Sequence, residues 1–153
     1  MTSKSNFLFV EFPKLLESLD PLTERAWGTM NVHQMIEHMS YSVRMANGKD
    51  IMQLVTPVEK LPIVRDFMLS DKEFRPNTKN SLMGDTPDPV KYPNIQDSLN
   101  ELQQELADFK KYFDENPTTT LMNPFFGELN FEEWTHLLNK HAIHHLKQFG
   151  VQV

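Results

Sequence analysis

The sequence predicts an all-α protein: an antiparallel four-helix bundle with one long crossover between its second and third helices. Three observations lead there. Apolar residues recur at helical spacing over long stretches, whereas alternating strand patterns are hard to find. Two of those stretches open on a complete capping box, Asn31 with Gln34 and Asn130 with Glu133. Glycine is scarce at five residues, while ten prolines punctuate the chain between and around the periodic stretches.

The first helix is expected over residues 11–19, where Phe12, Leu15, Leu16 and Leu19 share a face and Asp20-Pro21 stops the chain. The second covers 31–47. Asn31 caps it, Met30 and Met35 staple its start, and Asn47-Gly48 ends it in the left-handed manner. Residues 56–69 keep helical spacing, but Pro57 and Pro62 limit them to a short or broken helix. Residues 70–93 carry Pro76, Pro87, Pro89, Pro93 and Gly84, and read as a long loop of the kind that covers a functional site or stays disordered. The third helix, 94–115, has a seam of Ile95, Leu99, Leu102, Leu106, Phe109 and Phe113, bracketed by Pro93 and Pro117. The last, 130–149, is stapled by Leu129 and Trp134. Glu132 and Glu133 stand at its positive end, Lys147 near its negative end, and Gly150 closes it.

Composition narrows the function. At 153 residues, with 39% hydrophobic and 24% charged, the chain fits a single soluble domain spanning 1–153. Apolar runs such as Phe7, Leu8, Phe9 and Val10 fall far short of the ~20 residues a membrane helix needs. The opening Met1-Thr2-Ser3-Lys4-Ser5-Asn6 lacks the apolar region of a secretory signal, so a cytoplasmic location is expected. Fifteen Lys+Arg against twenty-one Asp+Glu give a net charge of -6, and no basic stripe is visible, which disfavours nucleic acid as a partner. Cysteine is absent. That excludes disulfides, zinc ribbons and a cysteine nucleophile, and leaves nitrogen and oxygen to hold any metal. No phosphate-binding glycine loop and no Ser-His-Asp grouping is apparent.

Four of the six histidines lie at or beyond residue 136. On a helical wheel Phe131, Trp134, Leu138, Ala142, His145 and Phe149 share one face, with His141 among them. His141 and His145 are i and i+4, so their rings sit one above the other and can ligate one ion. The alternative is ordinary core packing, although two neutral imidazoles on an apolar face leave polar nitrogens to satisfy. His136 falls on the opposite side with Lys140 and Lys147, as a solvated face, and His144 falls on the flank, where a proton-transfer role is one reading. In the second helix Val32, Met35, Ile36, Met39 and Val43 form the apolar stripe. His38 lies at its edge and His33 on the polar side beside Glu37, so the wheel favours His38 as a third imidazole. Met30, Met35, Met39 and Met45, with Phe125 and Phe126, are read mainly as core and secondarily as the wall of an apolar pocket; Trp27 and Trp134 carry the same ambiguity, and Tyr41, near His38 on the helix surface, is a weaker candidate than His144 for orienting a ligand or transferring a proton. Glu37 and Glu128 are expected on a solvated face or in a loop contact.

The stretch Trp27-Gly28-Thr29-Met30-Asn31-Val32-His33-Gln34-Met35-Ile36-Glu37-His38-Met39 resembles the second-helix motif of an uncharacterised family in the DinB-like superfamily of metal-binding four-helix bundles. Residues 123–150, from Asn123-Pro124-Phe125-Phe126-Gly127 to Lys140-His141-Ala142-Ile143-His144-His145, resemble its C-terminal signature. The resemblance implies a tri-histidine site, which matches here to His38, His141 and His145, with the remaining metal positions left to water or substrate. It also implies a divalent ion, zinc or nickel foremost, and the chemistry of metal-dependent transferases that use low-molecular-weight thiols on a small electrophile. Two other outcomes stand beside it: a metal-dependent hydrolase, and a non-enzymatic binding or stress-response module whose metal staples the bundle. An open pocket roofed by residues 70–93 would mark an enzyme; a closed dry site would mark a staple. A homodimer through an exposed helix face is a further expectation, with no sequence feature that demonstrates it.

Overall fold

The computed structural model describes residues 1–78, 82–84 and 86–153. The N-terminal helical segment starts eight residues before the expected position. It comprises α1 (Ser3–Asn6), a π-helical turn (Phe7–Glu11) and α2 (Phe12–Ser18). Thr2 begins it by accepting the Ser5 N–H at 3.1 Å. Pro13 hid the upstream part, because proline is a helix opener. Here the widened turn, with the Phe12 N–H bonded to the Phe7 carbonyl, lies just where the proline ring would press on the carbonyl four residues back.

The helix α3 (Val32–Ala46) and the last helix α6 (Phe131–Gln148) start as their capping boxes dictate. Asn31 accepts the Gln34 N–H at 2.8 Å while Gln34 accepts the Asn31 N–H at 2.9 Å. Asn130 and Glu133 repeat this at 2.9 and 3.0 Å. Gly48 follows α3 at φ +80°, a conformation that any Cβ would oppose. Between α3 and the long helix α5 (Ile95–Glu115) runs the crossover, which holds a 3-10 turn (Val58–Lys60) and α4 (Leu61–Leu69), opened by Pro57 and Pro62. No helix or strand forms among the described residues of 70–93; the loop expectation for 79–81 and 85 lies outside the described residues.

The protein is predominantly helical but not purely so. A short antiparallel hairpin pairs β1 (Leu121–Asn123) with β2 (Gly127–Leu129), Leu121 opposite Leu129 and Asn123 opposite Gly127. Three-residue strands are too short to show alternation, which is why no strand was expected. Asn123 shapes the turn, its Oδ1 accepting the N–H groups of Phe125 and Phe126 at 2.9 and 3.1 Å.

One contiguous core joins these elements. Val32, Met35, Ile36, Met39 and Val43 of α3 are fully buried, against Leu102, Leu106 and Phe109 of α5 and Trp134, Leu138, Ala142 and Leu146 of α6. Each such side chain contributes about 1.5–3 kcal/mol of hydrophobic stabilisation. That core fixes the rotation of α3 and α6 about their axes, and so decides which histidines meet. Among the described residues, no helix is long and apolar enough to cross a membrane.

Candidate metal centre

The facing edges of α3 and α6 bring His38, His141 and His145 together, with one ligand atom from each ring, all within 4.8 Å of one another. His141 Nε2 lies 3.0 Å from His38 Nε2 and 2.9 Å from His145 Nε2. Burial holds all three below the usual histidine range, and the neighbouring imidazoles add to it. His38 is pushed down to about 4 and His145 to about 3, while His141 is held well below its ordinary value. The rings are therefore neutral near pH 7, the protonation state that metal ligation requires.

The proton on His145 is assigned by its neighbours. Gln148 Nε2 donates to the Trp27 carbonyl at 2.9 Å, which turns Gln148 Oε1 toward His145 Nδ1 at 2.8 Å. His145 Nδ1 is thus the donor, and its Nε2 directs a lone pair at His141. With His145 Nε2 an acceptor, at most one of the two contacts at His141 can be a linear hydrogen bond. A cation between the rings satisfies all three lone pairs. Tetrahedral nitrogens about 2.0–2.1 Å from one ion lie about 3.3–3.4 Å apart, a few tenths of an ångström beyond the two short separations here, so a small opening of the three rings would let them hold a metal ion.

Gln148 is the orienting residue that the sequence reading missed. It stands three residues after His145 on the same helix, a spacing at which side chains meet, so the signal was present. Its other attachment had no local signal: Gly28 takes φ +78°, and a Cβ there would lie 2.7 Å from Gln148 Nε2. Glycine lets the 27–28 backbone come close enough to hold the amide.

The triad stands in the wall of a cavity of about 370 Å³. Tyr41 and Met45 of α3, Phe74 of the crossover, Phe125 and Phe126 of the hairpin turn, and Trp134 of α6 all line it. Crossover residues beyond position 70 therefore do form part of the enclosure, together with hairpin residues that were expected mainly in the core.

The far side of α6 is only partly solvated: Lys147 is exposed, but His136 is half-buried and Lys140 is buried. His136 accepts from Lys4 Nζ at its Nδ1, 2.6 Å away, and so donates from Nε2 to the Ser70 carbonyl at 3.0 Å. Lys140, only 8% exposed, donates to the Phe67 carbonyl at 2.9 Å with its Nζ over the rings of Phe67 and Phe74. Burial lowers its pKa. His144 Nδ1 lies 3.2 Å from the Phe74 carbonyl, and Lys147 pairs with Glu73. This row of α6 clasps residues 67–74. A wheel places those side chains away from the core but cannot show that another segment of chain covers them.

His33 has a different fate. Its Nε2 lies 2.8 Å from Ser98 Oγ, which donates to Glu37 Oε2 at 2.6 Å. Glu37 also accepts the backbone N–H groups of Lys91 and Tyr92, at 2.6 and 3.1 Å, so it is a loop contact. Burial acts to raise the Glu37 pKa, but those N–H groups and the Ser98 hydroxyl outweigh it and the net shift is downward. Glu128 is exposed beside Thr120.

No curated protein and no solved structure matches the chain. The family model of the DinB superfamily matches residues 11–149, from within the N-terminal helical segment to the end of α6, and on that span the chain belongs to the DinB superfamily.

Proposed function

We propose that the protein holds one divalent metal ion, zinc or nickel, through His38, His141 and His145, and that the site serves a metal-dependent transferase acting with a low-molecular-weight thiol. One observation carries this reading: three neutral imidazoles converge at the wall of a cavity, rather than in a closed core. That favours an enzyme over a metal staple, which needs no space beside the ion. A bound ion supplies Lewis acidity, lowering the pKa of a thiol placed on it so that a nucleophile absent from the chain itself becomes available at neutral pH.

The chain's own residues do the rest. Gln148 holds His145 in the Nδ1–H tautomer. The aromatic wall excludes water from the reacting sulfur. His144 lines the same cavity. Its Nδ1–H is committed to the Phe74 carbonyl, which leaves the Nε2 lone pair as the acceptor for the thiol proton. In addition to an electrophilic carbon, the sulfur pair forms the C–S bond and the displaced π pair moves to the far atom. That atom then takes the proton back from His144 Nε2.

Elemental analysis tests the metal reading directly. Wild-type protein should carry near-stoichiometric metal, and His38→Ala/His145→Ala prepared identically should carry almost none. Equal metal in the two, or a wild type that takes up neither zinc nor nickel, would overturn it.

A further inference from the structure

From the cavity beside the triad we infer a substrate class: an uncharged molecule with an aromatic or branched apolar body, presenting a single sulfur or oxygen donor to the histidines. The inference deepens the metal reading, and rests on it only for the donor end.

The argument begins with size. A space of about 370 Å³ lies within the range that small-molecule sites occupy. Its walls include Trp27, Met45, Phe74, Phe126, Trp134 and Leu138, which give π faces and a polarizable thioether, beside the uncharged polar side chains of Thr29, Tyr41, Asn77 and Thr78. Among the described residues no Lys, Arg, Asp or Glu lines it.

Three of the polar side chains in the lining are already engaged. Asn123 Oδ1 accepts from the N–H groups of Phe125 and Phe126, and Ser42 Oγ donates to the His38 carbonyl at 3.3 Å. Gln148 is bound at both ends, to His145 and Trp27. The triad's imidazoles are therefore the pole that takes the ligand's donor, and the rest of the described lining is uncharged.

A ligand carboxylate or phosphate away from the imidazoles would lose its hydration without gaining a counter-charge from any of the described residues. The net charge of -6 adds long-range repulsion of anions. The ligand is thus amphiphilic in one defined sense, with its donor at one tip and neutral hydrocarbon elsewhere.

The test uses two probes that differ only at the tip away from sulfur, benzyl mercaptan and 4-(mercaptomethyl)benzoate. Trp27 and Trp134, the two tryptophans of the chain, both line the cavity, so intrinsic fluorescence reports occupancy. Titrations are run on metal-free and zinc-loaded protein, with benzyl alcohol as the sulfur-free control. The neutral thiol should bind at least about tenfold more tightly than the benzoate in both forms. Thr29 is exposed at the cavity, so Thr29→Arg should fold normally; it should raise benzoate affinity about tenfold and leave benzyl mercaptan within about twofold. Equal affinity for the two thiols, or no saturable binding of either, would overturn the inference. If the neutral preference holds but zinc does not strengthen benzyl mercaptan over benzyl alcohol, the cavity inference stands and the metal reading fails.

Discussion

Helix α3 carries two histidines, His33 and His38, and the chain places them in opposite chemical situations. His33 Nε2 meets a hydroxyl and a carboxylate, so that nitrogen finds a complementary partner. His38 meets two further imidazoles, each pushed toward the neutral form by burial, and nothing that can supply them all with a proton. Burial alone therefore does not separate a structural histidine from a ligand. What separates a structural histidine from a candidate ligand is whether the partners complete the hydrogen-bonding or leave converging lone pairs that a cation would satisfy.

The sharpest way to break the comparison is to remove one member from each cluster and read the response to zinc. Zinc at about a hundredfold above its Kd should stabilise wild-type protein and His33→Ala by about 2.7 kcal/mol, and His38→Ala hardly at all. Thermal melts with and without zinc measure this. Stabilisation that survives in His38→Ala but is lost in His33→Ala would exchange the two roles.

Next in size is the residue that aims His145. Gln148→Leu removes the acceptor from Nδ1 and should weaken metal binding about 10–100-fold, as loss of such outer partners does elsewhere. Competition with a chromophoric chelator gives the number, and an unchanged affinity would reduce Gln148 to a packing residue.

The smallest effect is an ordering in pH. The triad's histidines have folded pKa values below the ordinary 6.5, so the unfolded chain binds more protons as the pH falls. Their contribution to metal-free stability is complete above about 6.5 and is lost as pH falls toward the folded values of about 4 and about 3. Glu37 is also lowered, from 4.5, so the His33 cluster keeps its contribution until the pH drops below 4.5. Melting temperature against pH should therefore fall first through the triad, and Glu37→Gln should flatten only the lower limb.

Much of this was legible in the sequence because the signals were local. A capping box spans four residues and a helical face spans two turns, so the ends of α3 and α6 and the inward lean of His38, His141 and His145 followed from short stretches. The parts that were missed depend on partners distant in the chain. His136, Lys140 and His144 donate to carbonyls of residues 67–74, and every residue has a carbonyl, so no side-chain pattern announces them. The hairpin at 121–129 was too short for its period to register. The early start of the N-terminal helix was hidden by a proline that follows a π-helical turn.

The clasp along α6 has a consequence for how such a protein can diversify. Three of its four attachments grip main-chain oxygen atoms, so this part of the hold on residues 67–74 does not depend on their side chains, whereas Met68 in the core and the rings of Phe67 and Phe74 under Lys140 supply the rest. Phe74 can then be exchanged for side chains of other shapes while its peptide stays anchored to His144. The cavity wall is thus open to change at Phe74 in steps that leave the three convergent histidines untouched.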